Sequence, residues 1–169
     1  MNLSLAQVED ALEVIAILKR CNQKLLSQEI YQWDDQYPSQ ELIEKNIASK
    51  SLFVYRKDGH IISGITLDDK QPPSYGKITW GTPNANPLLI HRTFVDPEFQ
   101  GQGLGQVMMS FAEKYAPLHN YNCIRADVHK QNPSALALFQ KCGYNIFGEL
   151  MFPRREVAFV CFEKRLNDI

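Results

Sequence analysis

One segment constrains the fold more than any other, because it predicts a strand, a glycine loop and a helix in direct succession. The segment is LLIHRTFVDPEFQGQGLG, from Leu88 to Gly105. Asp96-Pro97 should end the apolar strand, since proline lacks an N–H and restricts the residue before it. Three glycines follow at alternate positions, and a helix with one apolar face comes next. Glycine lets a bound group approach the backbone, and the first turn of a helix leaves N–H donors unpaired. The segment therefore predicts a site for a phosphate or pyrophosphate.

The spacing of the glycines excludes two common phosphate-binding loops. A Walker loop requires G-x-x-x-x-G-K-S/T, and the sequence contains no Gly-Lys-Ser/Thr. A dinucleotide fingerprint requires G-x-G-x-x-G, whose third glycine would fall at Gln106 if the first two were Gly101 and Gly103. The loop instead matches (Arg/Gln)-x-x-Gly-x-(Gly/Ala), supplied by Gln100, Gly103 and Gly105.

This pattern, placed after a strand that ends in Val-Asp-Pro, resembles the pyrophosphate loop of the GNAT superfamily of acyl-CoA N-acyltransferases. The resemblance continues in ADVHKQNPSALALFQKCGY, where Asn132, Leu138 and Gly143-Tyr144 fall at positions that the family pattern uses. It is strong from about Leu88 to Leu150 and rests on element order alone before that. It implies an α/β fold with a mixed, largely antiparallel central sheet, helices on both faces and splayed central strands. The length of 169 residues fits one such domain over residues 1–169.

The resemblance also implies acetyl-CoA as co-substrate, with the pantetheine arm between the two splayed strands. The cofactor-binding residues it implies are Phe94, Val95, Gln100, Gly101, Gln102, Gly103, Leu104, Gly105, Gln106, Asn132 and Phe139. One of these departs from the family pattern, because many members have a tyrosine at position 139 whose hydroxyl protonates the departing thiolate. A phenyl ring cannot donate that proton. Tyr144, Tyr31, water and the ammonium of the tetrahedral intermediate remain alternatives for the acid.

A base is useful for acyl transfer to an amine, since an alkyl ammonium with a pKa near 10.4 is deprotonated only to about one part in a few thousand at pH 7. Some family members use an acidic residue of this strand as the base. That position falls near Leu89, whose side chain cannot accept a proton. His91 lies two residues further along the same strand face and is the candidate base. The alternative is a hydrogen-bonded polar residue on a buried strand. Arg92, on the opposite face, is expected in a structural ion pair or on a substrate carboxylate. Asp127 occupies a position that is acidic in some family members. An ion pair with Arg125 or a lysine would explain an aspartate there equally well.

The acceptor amine is expected against the segment EIYQWDDQYPS. The candidate substrate-binding residues are Tyr31, Trp33 and Asp34, since aromatic rings and a carboxylate at Asp34 or Asp35 favour a cationic amine. The alternative is that Trp33 covers the core beneath a loop.

Periodicity predicts the remaining elements. It indicates a helix over residues 7–28, a hairpin of 52–56 and 61–67 joined through Asp58-Gly59, a strand over 75–80, and a C-terminal hairpin of 144–150 and 156–164. The edge strand near the C-terminus could pair with a second copy of the chain, so a homodimer is possible.

Charge and composition argue against several classes of function. The sequence has 18 basic and 19 acidic residues, so no nucleic-acid partner is expected. No apolar run approaches the length of a membrane span, which predicts a soluble, cytoplasmic protein with no membrane partner. Four scattered cysteines without a C-x-x-C predict reduced core thiols, and the histidines lack ligand spacing, so no metal is expected.

Together these features predict an acetyl-CoA-dependent N-acetyltransferase that moves an acetyl group to a primary amine of a small molecule or peptide by direct attack. The alternative is a non-catalytic acyl-CoA-binding or sensing domain. A structural domain whose glycines serve only tight turns is the third possibility.

Overall fold

The computed structural model describes residues 3–34, 36–153 and 155–166. Its seven strands form one mixed sheet in the order β1-β2-β3-β4-β5-β7-β6. The strands are β1 (Ser4–Leu5), β2 (Leu52–Lys57), β3 (His60–Asp68), β4 (Pro87–Val95), β5 (Cys123–His129), β6 (Asn145–Leu150) and β7 (Phe159–Arg165). The pairs β1–β2, β2–β3, β5–β7 and β6–β7 are antiparallel, and β4–β5 is parallel. The predicted mixed, largely antiparallel sheet is confirmed.

The helices are α1 (Ala11–Ser27), α2 (Gln40–Ala48), α3 (Leu104–Leu118) and α4 (Pro133–Lys141). Side-chain caps explain where two of them begin. The Ser39 hydroxyl accepts a hydrogen bond from the Leu42 N–H (3.2 Å) at the start of α2. The Asn132 amide oxygen accepts one from the Ala135 N–H (3.0 Å) at the start of α4. None of the helices in the described ranges is both long and apolar enough to cross a bilayer.

The chain forms two compact units. The first comprises the residues up to Leu67 together with Arg92–Met108, and the second comprises Asp68–His91 together with the residues from Met109 onward. In the first unit, apolar side chains of α1 and α2 pack on β2, β3 and β4. The buried members of this cluster are Ala6, Ala11, Val14, Ile17, Leu18, Cys21, Trp33, Ile43, Ile47, Leu52, Val54, Ile61 and Phe94.

Helices cover both faces of the sheet in this first unit. Gly64 on β3 is packed so closely against Phe94 of that cluster that an added Cβ would lie 2.5 Å from the phenyl ring. The preceding residue, Ser63, points to the other face, and its hydroxyl lies 3.8 Å from the Met108 sulfur of α3. The predicted helices on both faces are therefore confirmed, and Gly64 is a glycine because the packing leaves no room for a side chain.

In the second unit the prediction of a strand over residues 75–80 was wrong. The chain there makes a 3-10 turn, Pro73–Lys77. Proline at the first position of the turn has a φ suited to a helical start, and it cannot donate to a strand ladder. Tyr75 is only 3% exposed and joins a cluster with Leu89, Leu150 and Cys161.

The pairing of the C-terminal hairpin was predicted correctly, although its second strand begins at Phe159 rather than at Glu156. Strands β6 and β7 pair antiparallel from Asn145↔Glu163 to Leu150↔Phe159, and β6 is an edge strand of the sheet.

The parallel ladder between β4 and β5 is short. It runs from Pro87↔Cys123 to Ile90↔Ala126. Strand β4 continues to Val95 and β5 to His129, so the ladder ends before either strand does. The predicted splay of the central strands requires an early end of this kind.

The cysteines are free thiols, as predicted, and three of them are buried. Burial raises the pKa of Cys21 and of Cys161 to about 12, and that of Cys123 to about 11. These thiols stay protonated at neutral pH and act as apolar side chains of the core.

Candidate active site

The glycine loop follows β4 through Asp96 and a 3-10 turn, Pro97–Phe99. Gly101 has φ +79° and Gly103 has φ +81°, a left-handed conformation that costs other residues roughly 1–2 kcal/mol. A Cβ added at either position would meet no atom within 4 Å. Backbone conformation therefore requires glycine at both positions, and the space beside the loop is open to a guest.

The start of α3 supplies free amide donors next to this space. The Val107 N–H donates to the Gly103 carbonyl (3.2 Å), which makes Gly103 the N-cap of the helix. The N–H groups of Leu104, Gly105 and Gln106 belong to the first turn and have no carbonyl one turn earlier within the helix. Three adjacent amides at a helix N-terminus are suited to an anion.

Helix α1 holds the beginning of the loop in place. Asp96 is buried, and its carboxylate forms an ion pair with the Arg20 guanidinium, whose pKa is raised by this hydrogen bond. The same carboxylate accepts a hydrogen bond from the Glu98 N–H (3.3 Å). The Asp96 N–H donates to the Ile62 carbonyl of β3 (2.9 Å). Strand β4 therefore ends at a position fixed by both a helix and a neighbouring strand.

Gln100 spans the loop with both ends of its amide. Its Nε2 donates to the Val95 carbonyl (3.0 Å), and its Oε1 accepts from Lys24 Nζ (2.6 Å). The Cys21 thiol also donates to the Val95 carbonyl (3.3 Å). Sequence analysis did not identify Arg20 or Lys24 as supports of the loop. Their spacing with Cys21 places all three side chains on one side of α1, but it does not identify what they contact.

His91, in the second unit, forms a close pair with Asp68. The distance from His91 Nε2 to Asp68 Oδ1 is 2.6 Å, and the His91 side chain is 24% exposed. The same carboxylate oxygen accepts the Lys70 N–H (2.8 Å). Partial burial acts to raise the pKa of Asp68, but the hydrogen bond and charge of His91 outweigh it, so the pKa lies below its usual value. When the Nε2–H points to Asp68, the imidazole lone pair is on Nδ1.

Asp127 has a tyrosine as its partner, a residue that was not among the alternatives considered from the sequence. The Tyr75 hydroxyl donates to Asp127 Oδ1 (2.7 Å). Arg125, one of the alternative partners considered for Asp127, pairs with Glu163 (Nε to Oε2, 2.8 Å). Burial raises the pKa of Asp127, and it also raises the pKa of Tyr75 well above its usual value. Neither Asp68 nor Tyr75 was predicted as a site residue, since no local pattern connects either with β4 or β5.

The prediction of an ion pair for Arg92 was also wrong. This residue is buried, and its Nη1 donates to the Tyr37 hydroxyl (2.7 Å) while its Nη2 donates to the Asn46 side-chain oxygen. Both partners are neutral. Arg92 therefore connects β4 with α2 and with the segment before it.

The predicted acceptor residues lie in different surroundings. Trp33 is 8% exposed and belongs to the core cluster, whereas Tyr31 is 65% exposed. Asp34 is exposed, and its Oδ1 accepts the Gln36 N–H (2.9 Å). Asp35 lies outside the described residues. An acceptor role for Tyr31, Trp33 and Asp34 stays a prediction.

The other predicted cofactor residues are partly structural. Phe94 and Leu104 are buried, Val95 and Gly105 are half-buried, and Gln102 and Gln106 are exposed. Phe139 is buried and packs on the rings of Tyr144 (5.1 Å between centroids) and Phe162 (5.2 Å). Burial, followed by the charge of Glu113, raises the pKa of Tyr144 above its usual value.

Comparison with known proteins places these features in one family. The profile of the acetyltransferase (GNAT) family matches residues 14–144. The uncharacterized N-acetyltransferase YesJ of Bacillus subtilis is 25% identical over 85% of this chain and 81% of its own length. The S-alkylcysteine N-acetyltransferase of B. subtilis is 27% identical over 65% of this chain and 57% of its own. The spermine/spermidine N(1)-acetyltransferase of B. subtilis is 32% identical over 41% of this chain and 47% of its own.

Solved structures show the same fold. A GNAT-family acetyltransferase from Streptococcus agalactiae superposes with a TM-score of 0.85 at 20% identity, over 99% of this chain and 96% of that one. The family profile covers well over half of the sequence, including most of α1, the glycine loop and α4. The chain belongs to the acetyltransferase (GNAT) family.

Proposed function

We propose that residues 1–169 form one acetyl-CoA-dependent N-acetyltransferase domain, which moves an acetyl group to a primary amine of a small molecule or peptide by direct attack. The observation that carries this proposal is the glycine loop. Two glycines with left-handed backbones stand beside open space, next to three first-turn amides of α3. Membership of the GNAT family supports the assignment of the donor.

The loop fits a diphosphate in both shape and charge. Gln100, Gly101, Gln102 and Gly103 would surround it with backbone, and the amides of Leu104, Gly105 and Gln106 would donate to its oxygens. Lys24 adds a positive charge at the edge of the loop through its contact with Gln100. Phe94, Val95 and Asn132 would contact the remainder of the coenzyme. The Val95 carbonyl already accepts two hydrogen bonds and the Asn132 side chain already caps α4.

The proton chemistry is assigned to His91. Bound acetyl-CoA would supply an activated thioester carbonyl, and the acceptor must present a neutral amine to it. His91 Nδ1 accepts the proton that the acceptor ammonium has to lose, while Asp68 holds the Nε2–H and stabilises the imidazolium that results. Asp68 is thus a positioning residue, because it acts through His91.

The proton for the departing sulfur has no donor at position 139. Phe139 has no hydroxyl, and the pKa of Tyr144, which burial raises, makes its hydroxyl a weaker acid than an ordinary tyrosine. We assign this role to His91 as well, since the imidazolium formed in the first proton transfer holds a proton that it can give to the sulfur.

The relatives do not point to a single acceptor amine. One relative is named for S-alkylcysteine and another for spermine and spermidine, and these amines differ in charge. Tyr31 and Asp34 are exposed and remain the proposed acceptor contacts of the first unit.

Two measurements on the full chain test the proposed function. Calorimetry should show saturable binding of coenzyme A, and acetyl-CoA should release its thiol only when an amine from a diverse panel is present. Absence of coenzyme binding would contradict both the enzyme and the sensing alternative. Binding without thiol release for any amine would favour the acyl-CoA sensor, which the names of the relatives do not support.

A further inference from the structure

Two basic side chains of α1, Arg20 and Lys24, are four residues apart and therefore lie on the same side of the helix. Both reach the segment that connects β4 with α3, but their partners differ. The Arg20 guanidinium forms an ion pair with the buried Asp96 carboxylate, which neutralises its charge. Lys24 Nζ instead donates to the side-chain oxygen of Gln100 (2.6 Å), which is a neutral acceptor. Arg20 is therefore compensated within the protein, whereas Lys24 is not.

The positive charge of Lys24 has no counter-ion in the part of the chain that the structure describes. No carboxylate among residues 3–34, 36–153 and 155–166 forms a salt bridge with it. The side chain is exposed, and an ammonium has three N–H donors, of which Gln100 accepts one. The other donors of this ammonium are therefore available to a ligand at the Gln100 end of the glycine loop.

The glycine loop itself has no positive charge to offer a ligand. The sequence from Gln100 to Ser110, QGQGLGQVMMS, contains no lysine or arginine. A diphosphate diester is a dianion at neutral pH, whereas the N-terminus of a helix supplies only about half a positive charge. Glu98, just before the loop, is exposed and adds a negative charge. A cation from outside the loop has to supply the difference, and Lys24 already contacts the first residue of the loop.

Gln100 keeps the ammonium in this position. Its Nε2 donates to the Val95 carbonyl at the end of β4 (3.0 Å), which orients the amide so that its oxygen accepts from Lys24. A lysine side chain that is already restrained loses less conformational freedom on binding an anion than a free one does. Gln100 is thus a positioning residue, because it acts through Lys24.

We infer that Lys24 is a direct ligand of the coenzyme diphosphate, supplied to the glycine loop by α1. This inference rests on the proposed function. Lys24 adds charged N–H donors to the neutral first-turn amides of Leu104, Gly105 and Gln106. The sequence of the loop does not reveal this residue, since Lys24 and Gln100 are 76 positions apart.

The test is calorimetric binding of coenzyme A and of 3′-dephospho-coenzyme A to the full chain. Both ligands contain the diphosphate, but the second lacks the 3′-phosphate. Lys24→Met keeps the aliphatic stem and removes the charge. It should weaken the binding of both ligands by about 5- to 10-fold, as expected for one charge-assisted hydrogen bond of an exposed side chain. Added salt should reduce this difference between wild type and variant, because it screens exposed charges.

Two further variants separate charge from structure. Lys24→Arg keeps the charge and should bind both ligands nearly as tightly as wild type. Lys19→Met removes another exposed lysine of α1 and should bind them as tightly as wild type. A loss in Lys24→Arg as large as in Lys24→Met would refute the inference, because the charge would then not be the cause.

Unchanged affinity of Lys24→Met for both ligands would also overturn the inference. A loss for coenzyme A alone would overturn it as well, since Lys24 would then bind the 3′-phosphate. A wild-type protein that binds neither ligand would refute the proposed function itself. The wild-type titration therefore distinguishes a failure of the glycine loop from a failure at Lys24.

Discussion

The glycine loop and the His91 region are built in opposite ways. The loop is a continuous stretch of chain, and its binding groups are backbone amides and space left by glycines. The His91 region is built from side chains that come from the end of β3, a 3-10 turn, β4 and β5. Coenzyme affinity should therefore depend on backbone conformation and tolerate most side-chain changes outside the glycines. Turnover should depend on single side-chain atoms.

The largest expected effect is on turnover at His91. His91→Gln removes the atom that accepts the proton, and turnover should fall by about 10²- to 10⁴-fold, the usual contribution of a general base. Coenzyme affinity should stay unchanged, since the loop binds the coenzyme through backbone amides and not through His91. Steady-state thiol release and calorimetry measure the two quantities, with exposed His119→Gln as the matched control. Unchanged turnover across the pH range would remove His91 as the base.

The complementary change is made in the loop. Gly103→Leu together with Gly105→Leu should weaken coenzyme binding by at least about 10-fold, because a left-handed backbone is lost at position 103 and bulk enters beside the free amides. Turnover at saturating coenzyme should change far less. Gly76→Leu is a matched control, since an added Cβ there meets no atom within 4 Å and the position has no left-handed φ. A correctly folded double variant with normal coenzyme affinity would refute the diphosphate site.

A smaller loss is expected at the partner of His91. Asp68→Asn keeps a hydrogen-bond acceptor but removes the charge that stabilises the imidazolium, so turnover should fall by about 10- to 100-fold, as for other groups that orient a functional histidine. Coenzyme affinity and the apparent KM for the amine should stay close to wild type. If turnover falls no more than in Asp69→Asn, the 2.6 Å contact between His91 and Asp68 is only structural.

The smallest expected effect is on stability at Asp127. Because burial raises its pKa in the folded protein, the folded state retains a proton that the unfolded chain has released, and stability falls as pH rises through the interval between the two pKa values. Asp127→Asn has no such charge. In urea unfolding it should therefore be slightly more stable than wild type at pH 7, and the difference should disappear below the pKa of an ordinary aspartate, about 3.9. A variant less stable than wild type at pH 7 would mean that the ionised carboxylate is already compensated within the protein.

The predictions that the structure corrected all concern residues outside the glycine loop, whose contacts are made by side chains. Arg92 was assigned an ion pair and instead bonds the neutral Tyr37 and Asn46. Of the alternatives left open for Asp127, the pair with Arg125 does not form, because Arg125 pairs with Glu163. Tyr75 was placed in a strand, although two prolines start a 3-10 turn there. In each case the sequence showed a polar or aromatic residue that needs a partner, but it did not show the partner.

The sequence by itself determined the glycine loop, the start of α3 and the hairpins, because their causes are local. Proline fixes φ, glycine permits a positive φ, and alternation selects a strand face. Only the tertiary structure decided that Asp68 contacts His91, that Tyr75 contacts Asp127 and that α1 holds Asp96. These contacts join residues 23, 52 and 76 positions apart. Strand order and helix packing bring such residues together, and no local pattern encodes either.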